Sequence, residues 1–410
     1  MKLFSVALTL LTSSVAFYFY TPLPDGIREP KKLMLLDATF KTVSKFAALK
    51  QQLGFGHPIR TIRTFRETLL ESDAGEDFVP GVKVTDVSFS GVPVRVYETS
   101  GGGGSLRRGL LYFHGGGWAL GSAKKGSYDK LTRMMSAELN AVVVSVEYRL
   151  YPEVQFPEPY LDCLAAVKYF LSEEVLSKYS VDPERVGVSG DSAGGNLAAA
   201  VAQEISQDSS VSVKLSVQAL VYPALQALDF NTPSCLQNHN IPILSRFALV
   251  QFWIQYLGAD LSLKEQFLSN QHSGLEQPLL SPELRARFNW TLLLPPEHQK
   301  NHTPVVTDKG LEGILEKVPG FLDTRASPLL ASPDVLSKCP KAYIMTCEFD
   351  VLRDDGLMYT RRLQDAGVQV TNAHYEDGFH GCFSMLFWPL EFDVGKRAFK
   401  DYIRWLQDNL

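Results

Sequence analysis

A serine held between two closely spaced glycines limits the folds open to this chain more than any other feature. In Gly190-Asp191-Ser192-Ala193-Gly194 the serine follows the strand-like Arg185-Val186-Gly187-Val188-Ser189 and precedes the helix-forming Asn196-Leu197-Ala198-Ala199-Ala200-Val201-Ala202. A chain that passes from strand to helix over one residue turns sharply. That turn strains the serine backbone and leaves no room for side chains two positions away on either side. Gly190 and Gly194 meet this need, and the hydroxyl is left at a helix N-terminus, where the peptide dipole favours developing negative charge.

The surrounding pattern fits such a turn. Short apolar runs at residues 110–113, 141–146, 185–189, 215–222, 341–347 and 368–375 are separated by segments of helical length. Strands without alternation, spaced in this way, predict an α/β fold with a mostly parallel central sheet covered on both faces by flanking helices. Ahead of them, Val84, Val87 and Phe89 and then Val92, Val94 and Val96 flank Ser90-Gly91, which reads as an antiparallel hairpin. The glycine run 101–104 is not followed by Gly-Lys-Ser/Thr, so it reads as a hairpin loop and not as a phosphate cradle. Between 225 and 325 no β-rich run occurs, and a stretch that long is not a bare loop. The expected organisation is residues 1–20 as a membrane-anchor helix, 21–80 as an N-terminal cap or linker segment, and 81–224 as the first part of the core. Residues 225–325 follow as a largely helical cap insertion, and 326–410 as the second part of the core. A separate small domain is the alternative for the insertion.

A second motif, His114-Gly115-Gly116-Gly117-Trp118, stands directly after the run 110–113. Chance alone gives its first four residues on the order of 0.003 times in a chain of this length. Glycine backbone can approach a carbonyl oxygen closely, and N–H groups aimed at it stabilise the negative charge of a tetrahedral intermediate. The expected oxyanion hole takes N–H groups within Gly115, Gly116 and Gly117 and that of Ala193, with His114 shaping the loop. A dinucleotide loop is excluded because Leu120 occupies the third glycine position. A serine hydroxyl needs a base, and an imidazole needs an acidic partner to fix its tautomer. His380, in Glu376-Asp377-Gly378-Phe379-His380-Gly381, is the expected base, in a loop beyond the last strand; His374, inside the strand pattern, reads as packed or solvent-facing. Asp350 follows the run 341–347 and is the expected acid, while Asp354 and Asp355 read as capping residues of the next helix.

Bulk properties narrow the partners. A net charge of -5 supplies no field that would draw in a nucleic acid. The five cysteines form no CxxC pair and no zinc spacing with histidines, and chemistry carried by a serine, a histidine and an aspartate needs neither metal nor organic cofactor. Nothing charged occurs between Lys2 and Asp25, and the run 3–20 is largely apolar. At about 1.5 Å per residue it could cross most of a bilayer core. Phe17-Tyr18-Phe19-Tyr20 before Thr21-Pro22 reads as the aromatic belt of a retained anchor, whereas Ser14-Val15-Ala16 fits a signal-peptidase site; either way the bulk of the chain enters the secretory lumen. Asn289-Trp290-Thr291 and Asn301-His302-Thr303 fit the glycosylation sequon.

Taken in order, the HGGGW loop, the GDSAGGNLA elbow, Tyr148-Arg149-Leu150-Tyr151-Pro152-Glu153, Asp350-Val351-Leu352-Arg353-Asp354-Asp355-Gly356 and Asp377-Gly378-Phe379-His380-Gly381 carry a resemblance. The chain resembles the hormone-sensitive-lipase group of α/β-hydrolase serine esterases, and within it the arylacetamide deacetylase family. The likeness spans nearly the whole chain, including Tyr18 to Pro24 and the Asn289 sequon. It implies Ser192 as nucleophile, His380 as general base and acid, and Asp350 as the residue orienting the histidine. It also implies hydrolysis of hydrophobic acyl or aryl esters and lipids, with amides as further substrates, by a single-pass type II protein of the endoplasmic reticulum membrane with a luminal catalytic domain. A secreted enzyme is the alternative. Two positions depart from the family: Ala119 stands where its members carry a cysteine bridged to the position of Cys347, and Tyr151 replaces the alanine of the YRLAPE segment. The first removes that cross-link, and the second keeps the family's substrate range from being copied across. The rival is a ligand-binding protein on a hydrolase scaffold, as in the plant gibberellin receptor, which resembles this group but lacks the histidine.

Overall fold

The computed structural model describes residue 18, residues 20–69, 75, 78–99, 105–308, 310–387 and 390–410. The expected anchor run, apart from Tyr18 and Tyr20, and the glycine run 101–104 lie outside the described residues. Among the described residues no helix is long and apolar enough to cross a membrane.

The hairpin expected at Ser90-Gly91 opens the sheet. Strands β1 (Val82–Phe89) and β2 (Val92–Thr99) pair antiparallel with Phe89 opposite Val92. Ser90 and Gly91 both take positive φ, 49° and 86°. That is the mirror-image two-residue turn whose twist matches the strands it joins. Strands β3 (Arg107–Phe113), β4 (Ala141–Val146), β5 (Val181–Asp191), β6 (Val217–Val221), β7 (Lys341–Phe349) and β8 (Val370–Phe379) complete an eight-stranded sheet in the order β1-β2-β4-β3-β5-β6-β7-β8. β2 joins β4 antiparallel, and all pairs from β4 to β8 are parallel. β2 and β3 are therefore not neighbours: the connection holding the glycine run passes β4, and the expected hairpin loop there is replaced by a crossover.

Helices cover both faces. On one face α4 (Glu158–Phe170), α5 (Ala193–Gln207) and α7 (Arg353–Asp365) share a core with Leu111, Phe113, Val142 and Val144, which α6 (Arg246–Leu257) joins from the segment between β6 and β7. On the other, α1 (Pro30–Gln52), α3 (Gly126–Leu139) and α8 (Asp393–Asn409) pack with Leu110, Tyr112 and Val143. Every residue of β4 is buried, because alternate side chains enter opposite cores. That is why its sequence shows no alternation. α2 (Pro58–Leu69) packs beside α1.

Between β6 and β7 the chain forms α6 and a set of shorter helices, including Pro233–Gln237, Pro282–Ala286 and Trp290–Leu293, with irregular segments between them. Thr232, Ser245, Ser281 and Asn289 each accept a hydrogen bond from the first turn of the helix they precede, so this segment stops and restarts at side-chain caps. Asp354 and Asp355 tie it to the core. They lie inside the first turn of α7, whose N-cap is Leu352, and cap nothing. Asp354 Oδ2 accepts from Ser234 N at 2.6 Å, and Asp355 accepts from Leu225 N at 2.8 Å and Gln226 Nε2 at 3.0 Å. Both carboxylates thus reach the inserted segment, while Asp354 Oδ1 also accepts from Arg353 Nε of the same helix at 3.0 Å.

Burial raises Asp355 from its ordinary 3.8 to about 7 despite those hydrogen bonds. The folded chain therefore holds this proton more tightly than the unfolded one. The stability it confers is complete below about pH 4 and is lost as pH rises toward 7. Asp355→Asn should flatten this part of the stability curve while lowering stability at pH 5 by about 1–2 kcal/mol, since one buried donor loses its acceptor. Urea denaturation at stepped pH measures both; an unchanged slope would reject the assignment.

Candidate active site

β5 delivers Asp191 to the edge of the sheet, and α5 begins at Ala193, so the whole reversal falls on Ser192 at φ 56° and ψ −118°. A Cβ on Gly194 would lie 2.0 Å from Phe113 O, and one on Gly190 would lie 2.4 Å from Gly194 O. Neither position can carry a side chain. The elbow is pinned by Ser192 N donating to Val221 O at 2.9 Å, and by Asn196 Nδ2 donating to Ala224 O and Ala326 O, each at 2.7 Å.

His380 meets this serine from the far end of the sheet. β8 continues through Asp377, Gly378 and Phe379, past the expected end at Tyr375, so the histidine stands directly after a strand and not within a long loop. Its Nε2 is 3.0 Å from Ser192 Oγ, and its Nδ1 is 2.8 Å from Asp350 Oδ2. Asp350 directly follows β7, is buried, and accepts from Leu352 N at 2.9 Å through its other oxygen. With Nδ1–H donated to the carboxylate, Nε2 is left as acceptor for the serine proton. His374 lies on β8, with Nδ1 3.0 Å from Thr346 Oγ1 and Nε2 3.3 Å from the Glu348 carboxylate.

The glycine loop departs from expectation at its first glycine. Gly115 N donates to Asp191 Oδ1 at 2.8 Å and to Tyr128 OH at 3.0 Å, so this amide is already committed. No acceptor among the described residues takes the N–H groups of Gly116, Gly117 or Ala193. His114 is fully buried, stacks on Tyr148 with ring centroids 4.4 Å apart, and sets Nδ1 2.9 Å from Gly115 O. Burial lowers its pKa to about 4, so the ring is neutral near pH 7 and shapes the loop from behind.

Asp191 was missed as a site residue by the sequence reading. Its carboxylate also accepts from Tyr112 OH and Tyr128 OH, each at 2.9 Å, and burial pushes its pKa up. It clamps the glycine loop to the residue preceding Ser192. The signal available was a carboxylate inside a turn that buries everything around it. Tyr222, also unflagged, lays its ring 4.8 Å from that of His380.

Two roofing segments reach the glycine loop. From the insertion, Phe252 of α6 packs against Gly117, where an added Cβ would come within 2.5 Å of its ring, and Tyr256 stacks on Trp118 at 4.1 Å. From the N-terminal segment, Arg63 Nη2 on α2 donates to Ala119 O at 2.9 Å and Tyr151 O at 2.6 Å. Tyr151 sets its hydroxyl 3.4 Å from His57 Nε2, so both family departures sit at this seam. All five cysteines are buried free thiols, and Cys347 Sγ lies 3.8 Å from Cys382 Sγ. Among the described residues no cluster of His, Cys, Asp and Glu could hold a metal. Asn289 is half-buried and accepts from Thr291 N at 3.0 Å, while Asn301 is exposed with φ 64°.

Comparison with known proteins shows the fold and the family. The family model described as alpha/beta hydrolase fold matches residues 110–281 and 276–384. Neutral cholesterol ester hydrolase 1 of Bos taurus is 50% identical over 406 residues, covering 99% of each chain. Arylacetamide deacetylase of Oryctolagus cuniculus is 47% identical over 398 residues, covering 96% of each. Among solved structures, an esterase of Pyrobaculum calidifontis superposes with a TM-score of 0.61 at 26% identity, covering 85% of this chain and 92% of that one. The chain belongs to the α/β-hydrolase fold family, as a carboxylic ester hydrolase of the group that includes arylacetamide deacetylase and neutral cholesterol ester hydrolase.

Proposed function

We propose that Ser192, His380 and Asp350 form the catalytic triad of this esterase, acting on esters with hydrophobic acyl or aryl groups. The observation that carries the reading is the hydrogen-bonded chain from Ser192 Oγ through His380 to Asp350, beside N–H groups with no acceptor among the described residues. His380 Nε2 takes the hydroxyl proton as Ser192 Oγ attacks the ester carbonyl. The carbonyl oxygen, now negative, lies against the N–H groups of Gly116, Gly117 and Ala193. Collapse expels the alcohol, which takes its proton from His380, and leaves an acyl-Ser192. Water then gives a proton to His380 and attacks the acyl carbon; collapse breaks the bond to Ser192 Oγ, which takes that proton back from His380, and the acid is released. An amide can follow the same path, with an amine as the leaving group. Asp350 keeps its hydrogen bond to His380 Nδ1 throughout and stabilises the imidazolium.

The hydrophobic preference is supported by the aromatic residues that meet the site: Phe252 over Gly117 and Tyr222 beside His380. The names of the two relatives, a cholesterol ester hydrolase and an arylacetamide deacetylase, suit bulky apolar substrates. For location we adopt the endoplasmic reticulum membrane, with residues 1–20 as anchor, a luminal domain, and glycans at Asn289 and Asn301. Cleavage of that segment would give a secreted enzyme instead.

Ser192→Ala should lower kcat/KM toward a short-chain aryl ester by about four orders of magnitude or more and abolish fluorophosphonate labelling. Full activity in that variant would end the proposal. Gly117→Ala should lower kcat by roughly 10²-fold, because the added methyl strikes Phe252 and shifts an oxyanion donor. Adding Phe252→Ala to it should recover part of the loss; no recovery would remove Phe252 from the account. Endoglycosidase digestion should increase gel mobility in the native chain, by a smaller step in Asn301→Gln, and an undigested chain of unglycosylated mass would refute the luminal assignment.

A further inference from the structure

Helix α1 is apolar on two faces, and the described residues cover only one of them. Leu33, Leu36, Val43 and Ala47 are buried, with Leu33 and Leu36 packed among Phe379, Cys382 and Phe383. Leu35, Phe46 and Leu49 are 57%, 58% and 53% exposed, and Leu53 and Phe55, just past the helix, are 63% and 64% exposed. At 100° per residue, positions 35, 46, 49 and 53 fall within an arc of about 60°. They form one bare row and not a scatter of single exposed residues.

Two observations indicate what covers that row. The first is the path of the chain. Tyr18 OH lies 2.9 Å from Thr42 Oγ1, and Lys45 Nζ lies 4.7 Å from the centroid of the Tyr18 ring. Tyr18, which follows the uncharged run 3–17 in the sequence, therefore stands on this side of α1. The second is charge. α1 holds Lys31, Lys32, Lys41, Lys45 and Lys50 against Asp37 alone, a net of +4 within a chain of net −5. Lys45 is exposed along the flank of the apolar row, and Lys31 is exposed at its N-terminal end. An apolar stripe edged by lysines suits the interfacial zone of an anionic bilayer, where the stripe meets acyl chains and the ammonium groups meet phosphates.

We propose that the face formed by Leu35, Phe46, Leu49, Leu53 and Phe55 lies in the surface of an anionic phospholipid bilayer, as a membrane contact separate from residues 1–20. α2, packed beside α1, binds the carbonyls of Ala119 and Tyr151 behind the glycine loop through Arg63. Lipid contact on α1 thus holds the roof of the site at the bilayer, and an ester dissolved there reaches Ser192 without crossing bulk water. This last step rests on the ester-hydrolase reading above.

The test uses the full chain reconstituted into vesicles of phosphatidylcholine and phosphatidylserine. An environment-sensitive fluorophore at Leu49→Cys, the native thiols being buried, should be quenched by nitroxide-labelled lipid at least about three-fold more than the same label at the exposed position Glu184→Cys. Equal quenching overturns the proposal, including the case in which residues before Tyr18 or a second copy of the chain cover the row. In a second arm, Phe46→Ser with Leu49→Ser should keep hydrolysis of a water-soluble aryl ester and lose about ten-fold on a long-chain ester dissolved in the vesicles. Unchanged rates on both esters, or equal losses on both, overturn the lipid contact. Failure of the native chain on either ester would instead sink the functional reading, while the quenching result would still decide the docking.

Discussion

Ser192 occupies a backbone conformation that costs an ordinary residue about 1–3 kcal/mol, and the surrounding structure is arranged to hold it there. Phe113 O would be 2.0 Å from a Cβ at Gly194, so the start of α5 sits against the end of β3 with no space between them. Val221 O accepts from Ser192 N on the opposite side. The serine is thus set by strands on both sides of β5, and its hydroxyl direction follows from sheet geometry instead of from a mobile loop. Because β7 and β8 run parallel to β5 in the same sheet, Asp350 and His380 leave their strands at the same edge. Three side chains remote in sequence come together for that reason alone.

Two buried aspartates at that edge show how surroundings divide one residue type between two tasks. Asp350 faces an imidazole and one backbone N–H, so its charge is matched by the histidine that it orients. Asp191 faces two tyrosine hydroxyls and the Gly115 amide, all neutral donors, and burial shifts it toward the protonated form. Its task is positional. By taking the first amide of the glycine loop, it fixes the orientation in which the next two amides remain open. The elbow and the loop are consequently one rigid unit, as preorganised stabilisation of an oxyanion requires.

Much of this was legible in the sequence, for definable reasons. β4 and the other parallel strands carry unbroken apolar runs because both faces are buried, and the elbow declares itself through glycines that sterics make obligatory. Ser192, Asp350 and His380 could be named because motif and strand end coincide. Other features depend on partners that a local window does not contain. The glycine run 101–104 follows β2, yet β2 pairs with β4, so the expected hairpin gave way to a crossover. β8 outruns its apolar pattern because Asp377 and Gly378 remain in the strand beside β7. Asp354 and Asp355 resemble caps, and only the inserted segment lying over them reveals their bonds to Ser234, Leu225 and Gln226. In α1 the bare apolar row was hidden by the buried one, since apolar residues on two faces blur the helical period.

The core machinery and the roof answer to different constraints, and that difference bears on substrate choice. Around Ser192 a single methyl group is enough to force backbone apart, so the elbow and the glycine loop tolerate little change. The roof meets this machinery through side chains: Phe252 against Gly117, Tyr256 against Trp118, and Arg63 to Ala119 and Tyr151. Such contacts can be altered without moving the sheet. Ala119 and Tyr151, the two departures from the arylacetamide deacetylase pattern, both lie along that seam, with Tyr151 reaching toward His57 at the start of the N-terminal pair of helices. Changes there can alter the contacts above Gly117 and Trp118 without moving the sheet, and on the proposed function we infer that the acyl and alcohol groups admitted are chosen by the N-terminal pair of helices and the segment between β6 and β7 more than by the sheet that carries the serine.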